Sequence, residues 1–209
     1  MIPGQPDPIQ KEYAAAAHSY DQKWSFYVDS TTRETLARLR MGPEDRVLDI
    51  GCGTGELLCR LAARYPRSHL AGLDPVPEML EVARSKVSDA VELRVGWANE
   101  LPWPDGSFDM VVSCNMFHYI THPVAAIREM ERVLRPGGRI VITDWCDDYF
   151  ACRICNIYLR LTKRAHYKTY RQNECLKLLT EAGHADADIE RYKISWLWGL
   201  MTAHATKLS

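Results

Sequence analysis

The stretch Val47-Leu48-Asp49-Ile50-Gly51-Cys52-Gly53-Thr54-Gly55 constrains this chain more than any other, because an apolar strand runs straight into alternating glycines and a helix begins directly after them. Glycines permit the positive φ angles of so tight a turn, and they remove the Cβ atoms that would collide with a ligand lying against the backbone. Such a loop can hold a pyrophosphate at the helix N-terminus. Asp49 argues for a different ligand: a carboxylate just ahead of the glycines repels a phosphate and attracts the ammonium of an amino acid, directly or through water.

From Arg46 onward, short apolar runs alternate with segments of helical period, the pattern of stacked βα units around a parallel sheet with helices on both faces. The expected strands are Arg46–Ile50, His69–Leu73, Val91–Val95, Phe108–Ser113 and Arg139–Thr143. Leu57, Leu58, Leu61, Ala62 and Tyr65 recur at helical spacing between the first two, and Pro66 ends that helix. Ile189–Ser195 and Leu200–Lys207, separated by a turn around Leu197–Gly199, are expected as an antiparallel hairpin at the sheet edge. The fold expectation is therefore α/β: a Rossmann-like seven-stranded sheet, mostly parallel with an antiparallel C-terminal hairpin. Ahead of the sheet, Tyr13, Ala17, Tyr20, Trp24 and Val28 share one helical face, and Thr35–Leu39 reads as a second short helix. That piece is expected either to pack on the domain or to act as a lid.

A chain of 209 residues, 46 % hydrophobic, can bury one core and is too short to divide comfortably, so residues 1–209 are expected as a single domain. Its expected parts are an N-terminal helical lid (1–40), a ligand-binding core (45–145), a helical substrate region (146–187) and a strand hairpin (188–209). With 26 basic and 27 acidic side chains there is no global field to attract nucleic acid. The segment Met1–Lys11 lacks the apolar run of a secretory signal, and no later run approaches a spanning length; a soluble, cytoplasmic protein is expected. The seven scattered cysteines do not form a disulfide framework and suit a reducing compartment.

The motif Asp49-Ile50-Gly51-Cys52-Gly53-Thr54-Gly55 resembles the cofactor signature of the class I S-adenosylmethionine-dependent methyltransferases. The resemblance continues with Asp74 at the end of the second strand, 19 residues after Gly55, where a carboxylate accepts both ribose hydroxyls. It extends through Pro75 to Met79, which resembles the segment packed on the adenine, then Leu101 to Asp109, and Glu129 to Ile142 with its Leu134-Arg135-Pro136-Gly137-Gly138 turn. It covers residues 45–145 and is nearest to the subgroup of ubiquinone and menaquinone C-methyltransferases and bacterial phosphatidylethanolamine N-methyltransferases. What the resemblance implies is S-adenosylmethionine as methyl donor and S-adenosylhomocysteine as product, held by Tyr20, Asp49, Gly51, Cys52, Gly53, Thr54, Asp74, Pro75, Met79, Trp97, Ala98, Asn99, Ser113, Cys114 and Asn115. One departure stands out: where the family has Gly-Asp-Ala, this chain reads Gly96-Trp97-Ala98, so the hydrogen bond from the adenine amino group is lost. The Trp97 indole either covers the purine instead, or points away and leaves the Ala98 amide to read the ring. His118, beyond the fourth strand, is the candidate base, or else a histidine held beside the pocket by packing.

The segment between Asp148 and Glu174 holds no acidic residue, but contains Arg153, Arg160, Lys163, Arg164, Lys168 and Arg171. Phe150, Ile154, Ile157, Tyr158 and Leu161 share a helical face there, so residues 150–171 read as a basic amphipathic helix for an anionic membrane surface, an anionic acceptor, or only water. Acceptor contacts are expected from Trp24, His118, Trp145, Tyr149, His166, Tyr167 and Tyr170, a set suited to an apolar or ring-bearing small molecule. Cys152 and Cys155 lack the further ligands zinc requires, and no metal is expected. Three rival functions remain: a methyltransferase for arsenite or another thiophilic substrate, a non-catalytic S-adenosylmethionine-binding protein, and a dinucleotide or nucleotide-sugar enzyme. The last is weakened by Asp49 and by the lack of a Tyr-x-x-x-Lys pair after the fourth strand.

Overall fold

The computed structural model describes residues 7–208; the proline-bearing start, residues 1–6, and residue 209 lie outside the described residues. The apolar runs become strands β1 (Arg46–Ile50), β2 (His69–Asp74), β3 (Glu92–Val95), β4 (Phe108–Cys114), β5 (Leu134–Trp145), β6 (Asp188–Lys193) and β7 (Gly199–Thr206). They form one seven-stranded sheet in the order β3-β2-β1-β4-β5-β7-β6. Strands β1 to β5 are mutually parallel, and β7 runs antiparallel to both β5 and β6. The helices are α1 (Pro8–Ala16), α2 (Tyr20–Lys23), α3 (Ser25–Arg38), α4 (Glu56–Arg64), α5 (Pro77–Lys86), α6 (Pro123–Val133), α7 (Phe150–Thr162) and α8 (Gln172–Glu181).

The central strands are mostly apolar and almost wholly buried because both of their faces are covered. Alternate residues of β1 feed two cores. Leu48 and Ile50 pack with Ile127 and Met130 of α6 and Leu179 of α8, whereas Val47 packs with Leu58 and Leu61 of α4 and Leu80 of α5. Helices thus lie on both faces, as the alternation of segments predicts. The chain winds outward from β1 through β2 to β3, then returns to place β4 on the other side of β1. At that reversal the carboxyl ends of β1 and β4 diverge and leave a crevice, the usual ligand position in open α/β sheets.

Two local expectations are corrected. The Tyr13-to-Val28 stripe is not one helix: the chain passes from α1 through a 3₁₀ turn at Ala17–Ser19 into α2, and breaks again at Trp24. Thr35–Leu39 is not a separate helix, since Thr35 to Arg38 form the end of α3 and Leu39 caps it. The breaks bend the segment over the crevice, where Gln10 on α1 donates to the Pro75 carbonyl at 2.9 Å. The Leu134–Gly138 segment, expected as a turn, stays within β5. Gly137 takes φ +75°, the register slips between Phe108 and Met110, and Lys207 exchanges backbone bonds with Gly137 and Gly138. Pro136 has no N–H to donate and is tolerated at such an irregularity. Among the described residues no helix is long and apolar enough to cross a membrane.

Candidate active site

The glycine turn closes back on β2. The amides of Gly51 and Cys52 both donate to the Leu73 carbonyl, at 2.7 and 3.0 Å, and the Gly53 amide donates to Asp74 Oδ2 at 2.9 Å. Gly51 and Gly53 hold φ values of +72° and +52°. A Cβ on Gly53 would meet no protein atom within 4 Å, because it would project into an open cleft of about 620 Å³.

Fourteen of the fifteen expected cofactor residues line this cleft; Ser113 is fully buried and does not. One end of the cleft carries Asp49, Gly51, Gly53, Thr54, Cys114 and Asn115, and the adjoining walls carry Asp74, Pro75, Met79, Trp97, Ala98 and Asn99. Trp97 is among the residues that line the cleft and is 39 % exposed.

Asp49 is buried, and its Oδ1 has no hydrogen-bond partner. Burial, with the nearby Asp74 carboxylate adding to it, pushes its carboxyl up to about 8. An unpaired buried carboxylate oxygen beside an open space is costly unless a cationic group reaches it. Asp74 is differently placed: burial raises it to about 6, opposed by backbone amides of Val76 and Gly53, each 2.9 Å from one of its oxygens. Those bonds fix the carboxylate plane and leave its remaining lone pairs available.

The N-terminal segment roofs the cleft. Asp21 on α2 accepts from Thr54 Oγ1 at 2.6 Å and pairs with Lys86 of α5 at 2.7 Å. Tyr13 and Tyr20 line the cleft from above, and the Tyr13 hydroxyl is hydrogen-bonded to that of Tyr119. Burial raises all three phenols, so they remain neutral hydroxyls. Tyr13, Val28, Thr32, Met116, Tyr119 and Ile120 are lining residues that the sequence did not single out as a site. The available signals were Tyr13's place on the amphipathic stripe and Tyr119's position next to His118.

Asn115 holds φ +59°, a left-handed conformation unusual for a residue with a side chain. Its amide is locked from both sides: it donates to Thr31 Oγ1 at 2.6 Å and accepts from the Tyr27 hydroxyl at 2.8 Å. Trp145 Nε1 in turn donates to that hydroxyl. Helix α3 is thereby joined to the ends of β4 and β5 beneath the roof.

His118 does not line the cleft. Its ring is buried, with Nδ1 2.7 Å from Asp144 Oδ1, and its backbone amide donates to the other oxygen of Asp144 at 2.8 Å. The ring stacks on Trp145 at 5.7 Å and lies 4.0 Å from the ring of Tyr119, which does reach the cleft. Its carbonyl accepts from the amides of Tyr167 and Lys168. Behind it His166, bonded to Asn156 at 3.0 Å, is driven down to about 4 by burial. The remaining expected acceptor residues also stand off the cleft: Trp24 on the roof's outer side, Trp145 on the Tyr27 hydroxyl, Tyr149 against Gly199, and Tyr167 and Tyr170 in the segment that follows α7. Tyr170 is buried and Trp145 and Tyr149 are partly buried, whereas Trp24 and Tyr167 are exposed. Of the seven cysteines, all free, only Cys52 and Cys114 line the cleft. Among the described residues no group of three or more His, Cys, Asp or Glu is arranged to hold a metal.

Comparison with known proteins gives a family model described as a methyltransferase domain that matches residues 48–142. The ubiquinone/menaquinone biosynthesis C-methyltransferase of Geotalea daltonii is 30 % identical over 69 % of this chain and 66 % of its own length. The demethylmenaquinone methyltransferase of Listeria monocytogenes is 36 % identical over 66 % of this chain and 62 % of its own. The chain thus spans somewhat under two thirds of the length of these curated relatives. Among solved structures, a methyltransferase from Haloferax volcanii, determined in complex with the Trm112 methyltransferase activator, superposes with a TM-score of 0.82 at 22 % identity, covering 95 % of this chain and 98 % of that one. A phosphoethanolamine N-methyltransferase of Haemonchus contortus, solved with S-adenosylhomocysteine and phosphomonomethylethanolamine, gives 0.69 at 18 % identity over 85 % of this chain and 53 % of its own.

Proposed function

Since the chain belongs to the class I S-adenosylmethionine-dependent methyltransferases, we propose that its cleft holds that cofactor and presents its methyl group to a lipophilic, ring-bearing small molecule of the quinone type. The observation that carries this reading is the orphaned Oδ1 of Asp49, buried across the glycine turn from Asp74 in a cleft with room for a nucleoside. The residues present fit the group. Asp49 meets the ammonium of the methionine arm, the open space over Gly53 admits that arm, and Asp74 accepts the ribose hydroxyls through its free lone pairs. Trp97, Pro75 and Met79 supply apolar walls for the adenine, area taking the place of the directional bond that an aspartate would have given.

When bound, S-adenosylmethionine supplies a methyl group already activated by a sulfonium, so the chain's own task is alignment and exclusion of water. Tyr13, Tyr20 and Tyr119 form the neutral aromatic wall that takes the acceptor. Their hydroxyls can orient an acceptor oxygen by hydrogen bonding, and being neutral they do not act as bases. His118 becomes a positioning residue in this reading: with Asp144 it fixes the segment carrying Asn115, Met116 and Tyr119 against the cleft. The free cysteines suit a reducing cytoplasm, where we place the reaction. The wall favours a lipophilic ring, and the two quinone-type relatives make a quinol the first acceptor to try.

Incubation with methyl-labelled S-adenosylmethionine and a panel of demethylated quinols, phosphoethanolamines and small phenols, followed by mass spectrometry, tests the reading. Label in a quinol or phenol supports it. Label only in a phosphoethanolamine would overturn the acceptor class, and cofactor binding with no turnover on extract or panel would overturn the transferase assignment.

A further inference from the structure

Helix α7 leaves its apolar side uncovered. Cys152 and Asn156 are buried, with the Cys152 thiol donating to the Gly199 carbonyl at 3.3 Å, so the helix rests on the β6–β7 turn by its polar and small residues. The opposite side carries Phe150, Ile154, Ile157, Tyr158 and Leu161, exposed by 76, 53, 56, 62 and 81 %. Trp196, in the same β6–β7 turn, is 85 % exposed. Six large apolar side chains standing in water around one helix are far more than the scattered exposure of an ordinary surface.

Charge complementarity says what covers them. No acidic residue occurs from 149 to 173. Lys163 pairs with Glu12 at 2.9 Å and Lys168 with Glu174 at 2.7 Å, while Arg153 and Arg171 both lie within 4 Å of Asp147. Arg160 and Arg164, beside the apolar stripe, have no carboxylate partner among the described residues. A convex helix with a wide apolar side, unpaired arginines at its margin and a neighbouring tryptophan has the features of an interfacial helix lying in a lipid headgroup layer, its arginines reaching phosphates while their stems stay among the acyl chains.

We propose that α7 and Trp196 form a docking surface for an anionic lipid bilayer. The Lys163 to Glu12 pair joins the end of α7 to α1, whose Tyr13 lines the cleft, and Phe26 of α3 packs on Trp198 at 6.3 Å. Docking through α7 therefore sets the roof of the cleft beside the bilayer, where a lipophilic acceptor is concentrated. The proposal rests on exposure and charge and is independent of which acceptor is methylated.

The test is sedimentation of the whole protein with phosphatidylglycerol-containing vesicles and with pure phosphatidylcholine vesicles, at about 0.01 M and about 1 M salt, where the screening length falls from about 30 to about 3 Å. Binding to the anionic vesicles at low salt, with release at high salt, is expected. Arg160→Glu with Arg164→Glu should lower partitioning by at least about 25-fold, about fivefold for each arginine lost, with the repulsion of the two added carboxylates on top. Ile157→Ser with Leu161→Ser should also lower it, and the blue shift of tryptophan emission on binding should be lost in Trp196→Phe. All these positions are exposed, so unchanged circular dichroism melts are expected for each variant. Failure to bind anionic vesicles at low salt would overturn the proposal, as would binding that neither double variant weakens. So would light scattering that shows a dimer dissolved by the serine pair and no vesicle binding, since α7 would then be a contact between two copies. No cofactor or acceptor is needed, so loss of methyl transfer would leave this result standing.

Discussion

At Asp49 the balance between burial and charge can be followed through a single proton. With its carboxyl pushed up to about 8, the residue is largely protonated at pH 7 in the ligand-free protein. An ammonium delivered to its orphaned Oδ1 reverses that preference, so binding of S-adenosylmethionine at pH 7 should release close to one proton. Calorimetry in buffers of different ionisation enthalpy measures this, and Asp49→Asn should bind with no proton release and at least tenfold more weakly, having lost a charge-assisted partner. Proton uptake, or release unaltered in Asp49→Asn, would remove Asp49 from the ligand's ammonium. His118 gives a second prediction. If it only positions the segment through Asp144, His118→Asn should lower kcat severalfold while leaving the shape of the pH–rate profile unchanged; the disappearance of a limb of that profile would make it a base. The two residues differ in how far they could be read from sequence. Asp49 lies two residues before the first of the glycines whose chemistry it completes, whereas His118 is a candidate only by proximity along the chain, and the fold puts Tyr119 in front of it.

At the scale of elements, the roof is held by few bonds. Asp21 joins α2 to Thr54 in the glycine turn and to Lys86 on α5, and both contacts are only partly buried. Asp21→Ala should therefore leave the sheet intact, loosen residues 8–24 enough to raise their rate of limited proteolysis, and weaken cofactor binding about fivefold, the worth of one net hydrogen bond. Bound cofactor should restore protection. Unchanged proteolysis would mean that the roof stands without Asp21, on its apolar contacts with Val76 and Met79 and on the bonds of Gln10, Glu12 and Tyr13. The βα units were legible because each strand and helix carries its own period. The breaks in the roof were not: they answer to contacts with Thr54, Pro75 and Tyr119, 33, 65 and 106 residues away in the chain. A stripe of apolar residues records that one side is buried, not that the burying surface is curved.

Across the whole molecule, two raised carboxyls tie stability to pH. Asp49 and Asp74, at about 8 and about 6, hold protons in the folded state at pH values where the unfolded chain, titrating near 3.9, has released them. For these two groups the folded state binds more protons than the unfolded one, which lowers ligand-free stability as pH rises from about 4 to about 8, by at most about 1.4 kcal/mol per pH unit for each group, with the Asp74 share spent by about pH 6; His166, held down to about 4, acts in the opposite sense below about pH 6.5. Denaturant midpoints at about pH 6.5 to 8, where the Asp74 and His166 shares are spent, should decline for the wild type and stay level in Asp49→Asn. A wild-type midpoint that rises through this range would contradict the burial of these groups. The sheet order has a further consequence, for the sequence of events during synthesis. Strand β6 is made before β7, yet β7 lies between it and β5. Until residues 199–206 have left the ribosome, β6 has no neighbour to pair with and β5 keeps an open edge along Ile140 and Ile142. A nascent chain therefore carries an unpaired apolar border through the making of some sixty residues after β5, and this interval, rather than the finished protein, is where strand-edge aggregation has its opportunity.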